Sequence, residues 1–537
     1  MQWHATAEDW VVENINSKSG FIERLESNKE RIWNEMESKI KAFLTSGNLA
    51  KQFRFDNFIK LLNVISKLND VGAEFTGVKC DTLQKSIHKQ CLLYLDYYHD
   101  DKIEELKSFL MTETWTAMPL IDGFNLDSLH EFSFLSLRVA KAARKVSADS
   151  GYFENHGNNP FSAFGKTRNH SEKSDREKLK QDMDSSMIFS SVKQSKSKTA
   201  LTNTVLGLLR LTGAYFSVAY AMPVIAHDVF VRLSQAVEFC IVSFVKTLLA
   251  KIPFTKVPQK LKTICYRHPE ENFVDLNLSH TSTVLDLTSK ESIPLLLVAG
   301  ESILYLQTQF ENLKSVIDKI FQLENNAELE STIGFLYEES VPALSSFIVP
   351  LYEIIATNSF HPVIATLVSG IHEGTNFDLA EIEVTQSAYV EVFIRKFTEF
   401  RSEILRLDIV DEYNFLSLEV LWKICSRQIF QVFMKGISKV EKCSNEGRAK
   451  MQLDFQQLLI KLESLTGLKF EQEASSIKEY VQTFYLTSDL ELEDWIIDKK
   501  AQNQYTPDVM KGLVACYCTS NNLDKKIKKR LFDVVDS

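Results

Sequence analysis

Glycine and proline are scarce in this chain, 18 and 11 among 537 residues, below the average share of each. Gly costs a helix interior about 1 kcal/mol relative to Ala and Pro about 3, so their scarcity is what long uninterrupted helices require. Positive charge is also short. The formal net charge of −10 excludes broad nucleic-acid binding, because a phosphate backbone needs a dense excess of Lys and Arg. Contact with anionic lipid would have to come from a local patch. Paired cysteines are missing as well. The eight cysteines stand apart at Cys80, Cys91, Cys240, Cys265, Cys425, Cys443, Cys516 and Cys518, without the CxxC pairs of a zinc site or the density of a secreted disulfide framework. They read as buried reduced thiols of a cytoplasmic protein.

Other absences narrow the chemistry. "MQWHATAEDWVVEN" carries early acids and no apolar core of signal-peptide length. Leu211–Ala226 and Ile354–Ile371 lack charges, but each contains a proline, Pro223 or Pro362, and polar side chains; a bilayer span wants about 20 predominantly apolar residues, so both are expected to be buried helices. No GxxxxGK[ST] or GxGxxG phosphate loop and no GxSxG elbow is present. His361 and His372 are too far apart for a helical i, i+4 metal pair, and Cys516 with Cys518 lacks a second ligand pair. No catalytic residue, metal or cofactor is assigned and no enzyme activity is expected. A Cys/His hydrolase assembled from distant residues, with Cys443 as the nucleophile, is the remote alternative.

What is present is apolar and periodic. Phe numbers 36, and 45% of residues are hydrophobic, which excludes global disorder. In "FIERLESNKERIWNEMESKIKAFL", Ile22, Leu25, Ile32, Met36 and Phe43 recur at helical spacing. Phe58, Leu62, Ile65 and Leu68 do the same, with Gly72 placed to end the run. Val229, Leu233, Val237, Ile241, Phe244 and Leu248 form a third stripe, opened by Pro223 in a first turn. Met451, Phe455, Leu458, Leu462 and Leu465 step by four, three, four and three, a heptad-like seam that puts Arg448, Lys450 and Gln452 away from the packed face. Gly447 marks a helix start or a close backbone approach.

Between these runs, 140–200 is rich in Ser, Asn, Lys and Asp and has no sustained period, so it is expected to be a disordered linker. The reading is an all-α protein of elongated helical bundles or a rod: a helical region over 1–139, the linker over 140–200, and a C-terminal helical rod over 201–537.

"KCSNEGRAKMQLDFQQLLIKLESLTG" (442–467), "TNTVLGLLRLTGAYFSVAYAMPVIAHDV" and "YVQTFYLTSDLELEDWI" resemble the C-terminal half of the syndetin family. The similarity continues through "FDNFIKLLNVISKLNDVGAEF" and "ETWTAMPLIDGFNLDSLHEFSFL". The family's long N-terminal region, with the coiled coil that joins sister subunits, is expected to have no counterpart in these residues. The resemblance implies an all-α, non-enzymatic subunit of the endosome-associated recycling protein complex, which tethers carriers and promotes SNARE-dependent fusion during recycling of internalised cargo. Implied partners are the sister subunits, SNAREs and Rab-type GTPases, with peripheral contact on recycling endosomes and the trans-Golgi network and no nucleic acid.

Two short features suggest surfaces. Asn159, Pro160 and Phe161 match the NPF tripeptide read by EH domains, in which Asn-Pro favours a turn that exposes an aromatic anchor; an endocytic adaptor is the alternative function. Lys525, Lys526, Lys528, Lys529 and Arg530 lie beside Ile527, Leu531, Phe532 and Val535, a basic amphipathic helix suited to lipid or a partner, though a solvated face of a bundle helix is commoner. If the NPF turn is an anchor, Phe161→Ala abolishes binding of a purified EH domain while the circular dichroism spectrum is unchanged; equal binding by both forms dismisses it.

Overall fold

The computed structural model describes residues 28–45, 49–77, 81–120, 123–133, 198–268, 289–321, 326–413, 415–486 and 488–536. Among the described residues there are helices and no strand, and the helices build an elongated rod.

Helix α1 covers 28–45, α2 Phe55–Thr76 and α3 Asp81–Thr112. Contrary to the expectation for Gly72, α2 runs past it and stops at Gly77, whose φ of 73° is left-handed and whose N–H reaches Ala73 O at 2.8 Å. Gly72 is buried because α1 crosses there: a Cβ on it would lie 1.9 Å from the Trp33 ring. That contact sets the rotation of α1. Trp33, Glu37 and Leu44 face inward, whereas Ile32, Met36 and Phe43, expected as the packed stripe, are 39%, 42% and 51% exposed. Ile22 and Leu25 lie outside the described residues.

After α3 the chain turns at Trp115, a buried residue with φ of 57°. Glu113 holds the turn by accepting the N–H of Trp115 at 2.8 Å and that of Thr204 at 2.7 Å. Thr204 opens α4 (Asn203–Ala221), which Thr202 caps through the Val205 N–H. Pro223 sits in a first turn as expected, and α5 (Ala226–Leu248) buries the whole stripe from Val229 to Leu248. Both helices are apolar on more than one side because α3 and the later helices cover them.

Residues on either side of 134–197 therefore share one core. Met118 N–H bonds to Leu201 O at 2.8 Å, and Trp115 meets Phe244 edge-on at 5.5 Å. Arg232 pairs with Asp96 at 2.6 Å and Arg210 with Glu131 at 2.9 Å. Buried His99 shares a 2.6 Å hydrogen bond with Tyr215, and its pKa is pushed down to about 4 chiefly by burial. Ala200, the last residue of the expected linker, is fully buried.

Beyond α6 (Gln259–Arg267) and α7 (Ile293–Phe321) comes a bent helical run, Ala327–His372. It contains three prolines, and each follows a change of helical pitch. Wide π turns at Leu336–Ser340 and Ala356–Phe360 precede Pro342 and Pro362, and a tight 3₁₀ turn at Ser345–Phe347 precedes Pro350. A proline ring clashes with the carbonyl four residues back, and altered pitch relieves that clash. This run and α4 are long and apolar enough to cross a bilayer. Tyr215, Phe216, Leu351 and Phe360 are buried in the core, whereas Phe335, Val349 and Val363 of the bent run are exposed, so the burial expected for Ile354–Ile371 is only partial.

Helices α8 (Ala388–Leu405), α9 (Leu418–Ile437), α10 (Asn445–Thr466), α11 (Glu471–Thr483), α12 (Asp489–Ala501), α13 (Pro507–Ser520) and α14 (Lys525–Asp536) complete the rod. In the α10 seam, Met451, Phe455, Leu458 and Leu462 are buried and Leu465 is half-buried. Phe455 lies 5.7 Å from the ring of Phe430 and 5.6 Å from that of Phe433.

Because described residues on both sides of 134–197 share one core, cutting an engineered protease site within that stretch should leave two fragments that co-elute on size exclusion in native buffer. Fragments that separate without denaturant would show that the contacts of Trp115, Glu113 and Asp96 do not hold the halves together.

Candidate functional site

The first half of α10 carries polar residues that a surface helix would point at water, yet several are buried. Arg448 and Lys450, expected to face away from the packing, are only 7% and 5% exposed. What covers them is the connection that follows the bent run. Ser444, the cap of α10, accepts the Gly447 N–H at 3.1 Å and the Leu379 N–H at 3.0 Å, while its own N–H bonds to Phe377 O at 3.0 Å. Gly447 is required by this approach, since a Cβ would stand 1.8 Å from Phe377 O. It is thus both a helix-start residue and a close backbone contact, as its place in the sequence suggests.

Further along the helix the charges take over. Lys442 pairs with Asp378 at 2.7 Å. Lys450 pairs with Glu383 and donates to Thr385 O at 2.8 Å. Asp454, fully buried, accepts the Ser387 N–H at 2.7 Å and the Tyr389 hydroxyl at 2.6 Å. Lys461 pairs with Glu391. Burial holds the Asp454 carboxyl above the usual carboxylate range, while the Tyr389 and Ser387 hydrogen bonds pull the other way.

Contacts at Gly447 and Asp454 are about 10 Å apart along the helix axis. The chain between the matching points, Phe377 and Ser387, could span about 33 Å if extended. It therefore arches away from α10 between two fixed feet, with Lys450 tying its middle. Ile382 and Val384 on the arch are 71% and 89% exposed. Sequence reasoning missed this arch, although it had a signal: Glu373, Asp378, Glu381, Glu383 and Glu391 occur without a Lys or Arg among them. Lys442, Lys450 and Lys461 meet three of those carboxylates in the same chain order.

Cys443 supports no nucleophilic chemistry. It is buried, its N–H donates to Ser520 Oγ at 2.9 Å, and its Sγ lies 3.4 Å from Ser444 O, with Arg448 the one cation near it and outweighed by burial. Burial pushes its thiol up to about 12, the opposite of an activated cysteine. Cys516 is likewise pushed up by burial, to about 11. Among the described residues no three His, Cys, Asp or Glu side chains cluster as metal ligands.

Asn159, Pro160 and Phe161 lie outside the described residues. The basic group lies on α14. Lys525, Lys526 and Lys529 are exposed, and Lys528 lies 5.6 Å from the Phe532 ring centroid. Arg530 is committed to Asp489 at 2.6 Å and Glu493 at 3.2 Å. The apolar face of α14 packs inward through Leu531 and Val535, against α12 and α13. Its lysines therefore form a charged outer face, and the side suited to acyl chains is occupied by protein.

Removing the buried anchor tests the arch. Asp454→Ala leaves the Ser387 N–H and the Tyr389 hydroxyl without an acceptor and should cost about 2–5 kcal/mol in urea unfolding. Asp454→Asn should cost less, because the Tyr389 hydroxyl can rotate to accept from the amide. The raised carboxyl pKa sets the pH dependence: above about pH 4 the folded state holds more protons than the unfolded one. The wild type should lose stability relative to Asp454→Asn as pH rises through that window. Equal stability of all three proteins would remove Asp454 from the role given to it.

Comparison with known proteins places this arch and its base helix within a recognised domain. Residues 293–536 match the family model of the syndetin C-terminal domain. Curated syndetin of Gallus gallus is 28% identical over 605 residues, covering 98% of this chain and 62% of that protein. Syndetins of Rattus norvegicus and Mus musculus are also 28% identical, covering 98% and 100% of this chain and 61% and 64% of theirs. The chain thus spans about three-fifths of the length of these curated relatives. With its C-terminal part matching that domain and relatives aligned along essentially its whole length, the chain is similar to the syndetins.

Proposed function

We propose that the chain is a non-enzymatic subunit of a vesicle-tethering complex acting in endosomal recycling, where it holds endosome-derived carriers near target membranes and promotes their SNARE-dependent fusion. The observation that carries this reading is alignment with syndetins over 98% of the chain. An elongated helical rod suits a tether, which must span distance and offer side surfaces to several partners. The cysteines with thiols pushed up by burial fit a scaffold better than a hydrolase. On this reading the protein is cytoplasmic and peripheral on recycling endosomes and the trans-Golgi network. Its partners are the sister subunits of the endosome-associated recycling protein complex, SNAREs and Rab-type GTPases.

EH-domain proteins belong to the adaptor alternative, which rests on Asn159, Pro160 and Phe161. Affinity purification of the tagged chain from cells separates the classes. A tether subunit recovers the sister subunits in fixed proportion and an adaptor recovers mainly EH proteins. Recovery of neither would sink both readings.

A further inference from the structure

The arch between Phe377 and Ser387 is the place where the molecule spends buried charge on a surface loop. Lys450 and Asp454, 5% and 0% exposed, are both used to fix it. Buried ionic groups are poor sources of net stability compared with apolar packing; their effect here is to give one loop one shape. That shape turns two β-branched side chains to solvent. Ile382 and Val384 are the most exposed large apolar residues among those described.

The arch backbone is also open. Leu379 N–H and Thr385 O have partners in Ser444 and Lys450. From Ala380 to Val384 no main-chain N–H or C=O hydrogen-bonds to any described group. Consecutive free peptide groups flanked by β-branched residues are what an added extended segment pairs with. The charge is one-sided too. Lys442, Lys450 and Lys461 meet three of the five carboxylates between Glu373 and Glu391 from below, and Glu373 meets His372. Glu381 is exposed and has no cation against it.

We propose that the arch is a docking loop for an extended, Lys- or Arg-bearing segment of a partner protein, which pairs with the main chain of Ala380–Val384 and covers Ile382 and Val384. A helix could not satisfy the free peptide groups, since its own are already paired. A second copy of this chain would bring another unpaired Glu381 to the arch and no free arch cation to meet it, and an anionic membrane carries the same sign of charge as Glu381. The inference stands on the loop itself and is independent of the tethering role.

The test uses the 537-residue chain and a blocked, fluorescently labelled peptide of alternating Lys and Val, six residues long, read by anisotropy. The comparison peptides replace Lys by Glu, or carry N-methyl groups on alternate amides so that charge is kept and strand pairing is lost. The expected result is binding of the Lys–Val peptide alone, weakened by salt. A double variant, Ile382→Ser with Val384→Ser, should weaken binding at least about tenfold. Both sites are exposed, so thermal stability is expected to be unchanged, and the acidic side chains remain to expose purely electrostatic attraction. No binding, equal binding by the double variant, or equal binding of the N-methylated peptide would overturn the proposal. So would a wild-type dimer in sedimentation velocity that the double variant dissociates, since the occupant would then be a second copy.

Discussion

Carboxylates that gather backbone N–H groups far away in sequence, Glu301 and Asp454 buried and Glu113 half-buried, are the interaction on which this helical structure rests. A helix leaves its first N–H groups without partners, and a buried start cannot leave them to water. Glu113 takes the Thr204 N–H at the start of α4. Glu301, on α7, takes the N–H groups of Leu416 and Ser417 just before α9, each at 3.2 Å. Asp454 takes the Ser387 N–H just before α8. Each carboxylate sits on or beside a helix distant in sequence from the one it receives, so a single contact satisfies a donor, meets the positive end of a helix dipole and fixes how two helices are placed. In a rod without sheet ladders these joints do the aligning that strand pairing does elsewhere.

The all-helical class and several packed faces were legible in the sequence because they follow from apolar spacing alone. The stripe of α5 and the seam of α10 are buried where the spacing puts them. Failures arose where a neighbour decided the matter. The face of α1 is set by Trp33 entering the space at Gly72, and the pattern of α1 offers Ile32, Met36 and Phe43 as an equally good stripe. The end of α2 went wrong for the same reason: a glycine needed for close approach resembles a glycine that stops a helix.

The arch, signalled only by the acidic run from Glu373 to Glu391, was missed for a different reason. Lys450 and Asp454 look like ordinary solvent-facing residues of an amphipathic helix, and nothing local shows that a loop more than sixty residues earlier covers them. Gly447 was the exception. A glycine in the first turn of an otherwise strong helix former announced that backbone would come close, and Phe377 O is what comes. The polar side chains of this stretch, which in another setting would suggest catalysis, anchor and orient the arch.

The described residues on either side of 134–197 lie close together, where Met118 and Leu201 are hydrogen-bonded and Glu131 meets Arg210. Closing a loop costs free energy that grows only with the logarithm of its length, about 0.6 kcal/mol for each doubling. The two sides are joined by contacts among residues outside that stretch, so the length of chain between them bears only weakly on whether they meet.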